Sequence, residues 1–156
     1  MLHLRSIEDT DLSLLDIWLH KPYVLKWYED PNAWLDEVRQ RDGQYAFIRH
    51  FIVMDDDQPI GFCQYYDCIE AGEDWYSVHT RNETYSIDYL IGEETHLRKG
   101  HGKRIIQLLI DTIRTHTQAK EIIVQPDEEN LSSCKTLLSC GFVYDATACY
   151  YRMALN

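Results

Sequence analysis

Two features of the chain carry chemistry. The first is the run Arg98-Lys99-Gly100-His101-Gly102-Lys103-Arg104, where four of the chain's 15 basic residues crowd around two glycines. Glycine lets a backbone approach a ligand closely. A helix opening there turns unpaired N–H groups and its positive dipole end outward, which suits an anion of the phosphate class. The run is neither a Walker loop nor a dinucleotide fingerprint: GxxxxGK[ST] is absent, and Ile105 stands where GxGxxG needs its third glycine. The second feature is Asp88, a lone carboxylate in the apolar and aromatic stretch Tyr85-Ser86-Ile87-Asp88-Tyr89-Leu90-Ile91. Burying a carboxylate without a partner is costly, so acid–base or cation-binding work outweighs a strand-end cap as its reason for being there.

The composition around these features narrows the partners. With 26 acidic residues against 15 basic, the formal net charge is −11. Such a field repels nucleic acid and anionic membranes and attracts cations, polyamine-like ligands among them. Glu73, Asp74, Glu83, Asp127, Glu128 and Glu129 fall in loops beside the candidate strands, where they can form an acidic rim. Trp27, Tyr66 and Trp75 can stack on rings and cations. Five cysteines form no CxxC pair, and the first residues do not pattern as a signal peptide, so free thiols and a cytoplasmic location are expected. The seven histidines show no ligand spacing, and no metal is expected. The densest apolar run, Ile105 to Ile110, is too short to span a bilayer.

The elements that must position these residues follow from periodicity. Leu2 to Arg5 alternates as a strand. Leu12, Leu15 and Leu19 recur at helical spacing, with Asp9 or Thr10 as cap and Pro22 as terminator. A second helix follows Pro31 and carries Trp34, Leu35 and Val38, which leaves Trp27-Tyr28 on the connection. Residues 46–54 and 60–66 form a hairpin around the turn chemistry of 55–59, and 67–82 read as a long functional loop. A strand at 84–91, a loop at 92–99 and a helix at 100–115 follow, the helix with Ile106, Leu109, Ile110 and Ile113 on one face. The chain then gives a strand at 121–125, a helix at 130–139 ended by Gly141, and strands at 142–144 and 149–154. The reading is α+β, one domain over residues 1–156, with a central mixed, mostly antiparallel sheet and helices on both faces.

In order and spacing, Ser86 to Ile91, Arg98 to Gly102, Ile122-Ile123-Val124, Asn130 and Cys140-Gly141-Phe142 resemble the GNAT superfamily of acyl-CoA N-acetyltransferases. Trp27-Tyr28, the segment Pro59 to Gln64 and the acidic, aromatic loop Glu73 to Tyr76 are most similar to the aminoglycoside 6'-N-acetyltransferases. The resemblance implies acetyl-CoA as cofactor. Its pyrophosphate would lie on the amides of Gly100 and Gly102 with Arg98, Lys99, His101, Lys103 and Arg104 around it. Main-chain groups of Leu90 and Ile91 would pair with the pantetheine arm, and Asn130 would touch the same arm. Asp88 would receive the reacting ammonium and serve as general base, with Trp27, Gln64, Tyr66, Glu73, Trp75 and Glu129 around the acceptor, most specifically the 6'-amine of an aminoglycoside. The chain departs from the family pattern at Leu97 in the loop and at Gln125, where an aspartate is usual. It departs again at Leu137, where many relatives carry the tyrosine that protonates the leaving thiolate; Tyr144, Tyr150 or unassisted departure would replace it. Acceptors of other kinds stay open, a polyamine or a siderophore-type hydroxylamine, as does a non-catalytic acyl-CoA-binding domain. A monomer and a homodimer are equally open.

Overall fold

A computed structural model describes residues 1–155; residue 156, the last of the expected domain, lies outside the described residues. The elements, in order, are β1 (Leu2–Ser6), α1 (Leu12–Leu19), α2 (Pro22–Leu25), α3 (Pro31–Arg39), β2 (Ile48–Asp55), β3 (Gln58–Asp67), α4 (Cys68–Ala71) and β4 (Thr84–Ile91). After these come α5 (His101–His116), β5 (Glu121–Val124), α6 (Leu131–Ser139), β6 (Val143–Asp145) and β7 (Tyr150–Ala154). The strands form one sheet in the order β1-β2-β3-β4-β5-β7-β6. Every pairing is antiparallel except β4 with β5. The expected mixed, mostly antiparallel sheet is therefore present.

Strand alternation sorts side chains to the two faces. Cys63, Tyr65, Tyr85 and Ile87 pack under α5, whose buried stripe is Ile105, Ile106, Leu109, Ile110 and Ile113. Phe62 and Leu90 point the other way, onto Leu15, Trp18, Leu19, Leu35 and Val38 of α1 and α3. Helices on both faces follow from that division. Asp88 shares the α1–α3 side with Leu90, two residues on.

Local chemistry departs from the sequence reading at the joints. Pro22 does not end α1; it opens α2 at the first helical position, where a missing N–H costs nothing. A 3-10 turn at Asp9–Asp11 precedes α1, and Glu8 with Asp11 closes a reciprocal capping box there, so neither Asp9 nor Thr10 is the cap. The stretch 67–82 is not all loop, because the Asp67 carboxylate caps α4 by accepting from the Ile69 N–H at 3.1 Å. All five cysteines are free. No helix among the described residues is long and apolar enough to cross a membrane.

The arrangement that matters most is a divergence. β4 pairs with β5 only at Thr84–Glu121 and Tyr85–Ile122, whereas its ladder to β3 continues to Ile91. Beyond Tyr85 one edge of β4 is open. Gly61 holds the other edge tightly: a Cβ there would sit 2.3 Å from the Leu90 carbonyl oxygen.

Candidate active site

A cavity of about 570 Å³ occupies the gap beside the open edge of β4. Four carboxylates line it, Glu37, Glu73, Asp88 and Asp127, and no lysine, arginine or histidine does. Its walls are aromatic: Trp27, Tyr28, Trp34, Tyr45, Phe47, Tyr66, Trp75 and Tyr89. Asp88 is partly buried on the cavity wall, and its Oδ2 accepts a 2.9 Å hydrogen bond from Gln64 Nε2 across the β3–β4 ladder. Gln64 is 2 % exposed and its Oε1 has no partner. Loss of hydration raises the Asp88 carboxyl to about 6, the Gln64 bond pulls it down, and the Glu73 charge adds to the rise.

Glu73 accepts from the Tyr66 hydroxyl at 2.9 Å, and its own N–H is held by the Tyr76 oxygen at 3.0 Å. That bonding folds the acidic, aromatic loop over the cavity and places Trp75 edge-on against Tyr76 and Tyr150. Glu37 enters from α3. Desolvation, followed by the Asp88 and Glu73 charges, pushes its carboxyl up to about 7. Sequence reading missed Glu37, because Asp36-Glu37 looks like the solvated face of an amphipathic helix. The one available signal was its spacing of three from Trp34, which puts both on one side of α3.

The open edge of β4 presents peptide groups of Tyr89. The Tyr28 hydroxyl accepts from the Tyr89 N–H at 3.2 Å and also donates to the Tyr89 carbonyl. Tyr28 comes from the loop before α3, next to Trp27, and rests edge-on against Trp34 at 4.9 Å. The Tyr23 hydroxyl donates to the Ile91 carbonyl at 2.8 Å. Leu90 is corrected here. Strand alternation turns its peptide groups toward β3, where its carbonyl meets Gly61, so the outward groups belong to Tyr89 and Ile91.

The basic turn lies at the start of α5. Gly100 is left-handed, with φ +78°, and open space surrounds the place of its missing side chain. Arg98 is also left-handed, with φ +60°. The first helical bond runs from the Arg104 N–H to the Gly100 carbonyl, so the N–H groups of His101, Gly102 and Lys103 precede the helical ladder. Arg98, Lys99, Lys103 and Arg104 are exposed and make no ion pair among the described residues. Four unpaired cations around free helical N–H groups, in a chain of net charge −11, fit a polyanionic phosphate group. A Cβ on Gly102 would meet Tyr89 at 3.6 Å and Thr136 at 3.8 Å, ordinary contact distances.

Asn130 joins the two halves. Its Oδ1 caps α6 by accepting from Ser133 N–H at 3.2 Å, and Asn130, Ser133 and Tyr89 all line the cavity. The Tyr89 hydroxyl lies 3.2 Å from Ser133 Oγ. Trp27, Gln64, Tyr66, Glu73, Trp75 and Asp88 all line the cavity; Glu129 does not. Its N–H donates to Asp127 Oδ1 at 2.9 Å in a turn that leaves both residues exposed, with Asp127 on the cavity's border. Gln125 lines the cavity too, with its amide donating to the Cys149 carbonyl at 2.8 Å. Leu137 is fully buried in the core, and neither Tyr144 nor Tyr150 lines the cavity. One group of histidines and a carboxylate does gather in space: ligand atoms of Asp55, His96 and His101 lie within 4.8 Å of one another. Asp55 is engaged there by His96 at 3.3 Å and by the Met1 amine at 3.2 Å.

The comparisons agree with this geometry. Residues 8–148 match the family model described as an acetyltransferase (GNAT) domain. The aminoglycoside N(6')-acetyltransferase type 1 of Klebsiella pneumoniae is 25% identical over 153 residues, spanning 92% of this chain and 75% of that protein. The crystal structure of the aminoglycoside acetyltransferase AAC(6')-Ib in complex with coenzyme A and kanamycin superposes with a TM-score of 0.82 at 23% identity, covering 99% of this chain and 95% of that one. Spermidine N-acetyltransferase from Vibrio cholerae, in complex with CoA and spermine, superposes at 0.73 with 18% identity, over 93% and 82% of the two chains. The sheet that diverges after Tyr85, the phosphate-type turn opening α5 and the match over residues 8–148 have one explanation: the chain belongs to the GNAT acetyltransferase family.

Proposed function

We propose that residues 1–156 act as one acyltransferase domain that moves an acetyl group from acetyl-CoA directly onto a primary amine of a polycationic acceptor, the 6'-amine of an aminoglycoside being the specific assignment. The observation that carries this reading is the cavity lined by four carboxylates and no cationic side chain, next to a turn of opposite charge. An anionic cofactor and a cationic acceptor are thereby drawn to adjoining surfaces. Acetyl-CoA, when bound, supplies an activated acetyl group and a thiolate leaving group. Gly100, His101 and Gly102, with Arg98, Lys99, Lys103 and Arg104, receive its phosphates; Ile91 offers its outward N–H to the arm, with Asn130 opposite, while the Tyr28 hydroxyl holds the Tyr89 peptide groups and would have to share or release them.

A primary amine has a pKa of about 10.4 and arrives protonated. Asp88 first binds that ammonium, with the unpaired Gln64 Oε1 as a second acceptor. It then takes the proton released as the nitrogen becomes a nucleophile. A carboxyl raised to about 6 is a better base than an ordinary aspartate, yet still far below the amine. Orienting the ammonium and stabilising positive charge beside the reacting carbon are therefore as large a part of its work as proton transfer. The neighbouring phenol of Tyr28 stays protonated, since burial holds it well above its ordinary pKa. Trp27, Tyr66, Glu73 and Trp75 line the acceptor side. A linear polyamine satisfies the same charges and is the second reading, favoured by the aromatic lining of Trp27, Trp34, Tyr66 and Trp75, which can cover an alkyl chain as well as a ring.

A thiol-release assay with acetyl-CoA separates these. Turnover with kanamycin-class acceptors exceeding that with spermidine or a hydroxylamine supports the aminoglycoside. Turnover with polyamines alone moves the assignment to them, and CoA-dependent thermal stabilisation without thiol release from any acceptor leaves only a binding domain.

A further inference from the structure

Outside the cavity, three separate elements bring two histidines and a carboxylate together beside the basic turn. Asp55 ends β2, His96 closes a 3-10 turn over Glu94–His96, and His101 opens α5. Positions 55, 96 and 101 have no ligand spacing along the chain, so the sequence alone gives no sign of a metal there. Folding sets one ligand atom of each within 4.8 Å of the other two.

An ion pair accounts for only part of this cluster. His96 Nε2 lies 3.3 Å from Asp55 Oδ2, and its Nδ1 stands 3.2 Å from the Thr95 hydroxyl. The His96 side chain is 13 % exposed. His101 is different. Its ring centre lies 5.5 Å from that of His96, yet neither of its ring nitrogens has a hydrogen bond or ion pair among the described residues. A second imidazole with an unused lone pair adds nothing to a His–Asp pair, but it supplies a third donor.

Two imidazoles and one carboxylate suit a divalent transition metal such as Zn2+, Co2+ or Ni2+ and leave positions open to water, whereas Mg2+ and Ca2+ take oxygen ligands. Donors on a tetrahedral zinc stand about 3.3 Å apart, a spacing that His96 and Asp55 already have. The His101 ring has at most about 1.5 Å to travel, within the reach of its side-chain torsions. The Thr95 hydroxyl on Nδ1 turns His96 Nε2 toward the carboxylate, as an outer-shell partner does for a ligating imidazole.

We propose that Asp55, His96 and His101 bind one divalent transition-metal ion of the zinc class, and that this ion clamps the two ends of the basic turn. His96 and His101 flank the residues of left-handed backbone, Arg98 with φ +60° and Gly100 with φ +78°. Ligation by both histidines closes that segment into a small ring and restricts its opening. The site is independent of the acetyl-transfer reading and is tested without it.

The test titrates protein free of any histidine tag with Zn2+ by calorimetry and with Co2+ by visible absorption. Wild type should take up one equivalent of either ion, and Mg2+ should give no signal. Asp55→Asn, His96→Asn and His101→Asn should each weaken Zn2+ binding at least about tenfold, and His79→Asn, at an exposed histidine elsewhere, by less than about twofold. The three ligands lie on three elements, so misfolding of one variant leaves the decision to the other two. Zn2+ affinity unchanged in Asp55→Asn and His96→Asn, equal loss in His79→Asn, or equal binding of Mg2+ overturns the site. Trypsin reads the clamp, because Arg98 and Lys99 are exposed. One equivalent of Zn2+ should slow cleavage there at least about threefold in wild type and leave it unchanged in His96→Asn. No slowing in the metal-bound wild type, or equal slowing in both proteins, overturns the clamp.

Discussion

Replacing Asp88 by asparagine should make the protein more stable while abolishing most of its activity, and the size of the gain follows from the site. The folded carboxyl keeps its proton up to about pH 6, against 3.8 when unfolded, chiefly because the cavity wall strips its hydration. Between those values the folded state binds more protons than the unfolded one, so the wild type loses stability as pH rises through that window. Above it the deficit is constant. At 1.36 kcal/mol per decade the full gap is about 3 kcal/mol, and Asp88 opens partly onto solvent in the cavity, which brings the expected gain to about 1.5 to 3 kcal/mol. For a chain of this size that is a rise of roughly 3 to 12 °C in melting temperature. Asparagine keeps the shape and can still accept from Gln64 Nε2, so no new cavity offsets the gain. Melting curves of both proteins at pH 8 and at pH 4 provide the assay. The variant should melt higher at pH 8, and the difference should shrink toward zero at pH 4, where the wild-type carboxyl is itself neutral. A variant that melts lower at pH 8, or by the same margin at both pH values, would refute the claim that Asp88 is held charged against its surroundings.

Other perturbations separate packing from ligand contact. In the same Asp88→Asn variant, turnover should fall by about two to four orders of magnitude in a thiol-release assay, the range for a positioned acid–base group. Gly102→Ala has internal room, with contacts no closer than 3.6 Å, so an unchanged melting temperature together with at least about a tenfold loss of CoA affinity would show that the ligand occupies the space beside it. Gly61→Ala drives a methyl into the Leu90 carbonyl and should cost more than about 2 kcal/mol in urea unfolding, whatever ligand is present. His50 is 5 % exposed, with neither ring nitrogen partnered, and burial, with Arg41 adding, depresses it to about 4. The unfolded imidazole protonates near 6.5 and the folded one does not, so stability should fall by up to about 3 kcal/mol as pH drops from 6.5 to 4; His50→Phe should flatten that limb.

What could be read in the sequence was what periodicity and local charge carry. Thr84–Ile91 is largely apolar and aromatic and contains one charge, so both the strand and Asp88 stood out. The basic turn before α5 was legible because its sign reverses that of the whole chain, whereas Asn130 stood out only through the family resemblance, and its role as the cap of α6 emerged in the structure. Contacts that only tertiary structure creates were invisible. Glu37 reads as surface until α3 docks against β4, and Tyr28 reads as loop until its hydroxyl is seen on the Tyr89 peptide. Which peptide groups of β4 face outward turns on a register of one residue, and the reading of Leu90 fell on the wrong side of it. Pro22 was misplaced for a related reason: proline stops one helix and starts another with the same φ, and only the path of the chain decides. Glu129 and Asp127 are two residues apart and both exposed, and an Asx turn, not charge, sets which one borders the cavity.

The claim at the centre of this account is that Asp88 and the carboxylates around it present a polycation's amine to the acetyl group of acetyl-CoA. Incubation of the protein with kanamycin and acetyl-CoA, followed by NMR of the product, tests it most directly. A single acetyl group on the 6'-nitrogen is expected, formed by the wild type and nearly absent with Asp88→Asn. No acetylated product from the wild type, or equal product from both proteins, would contradict it.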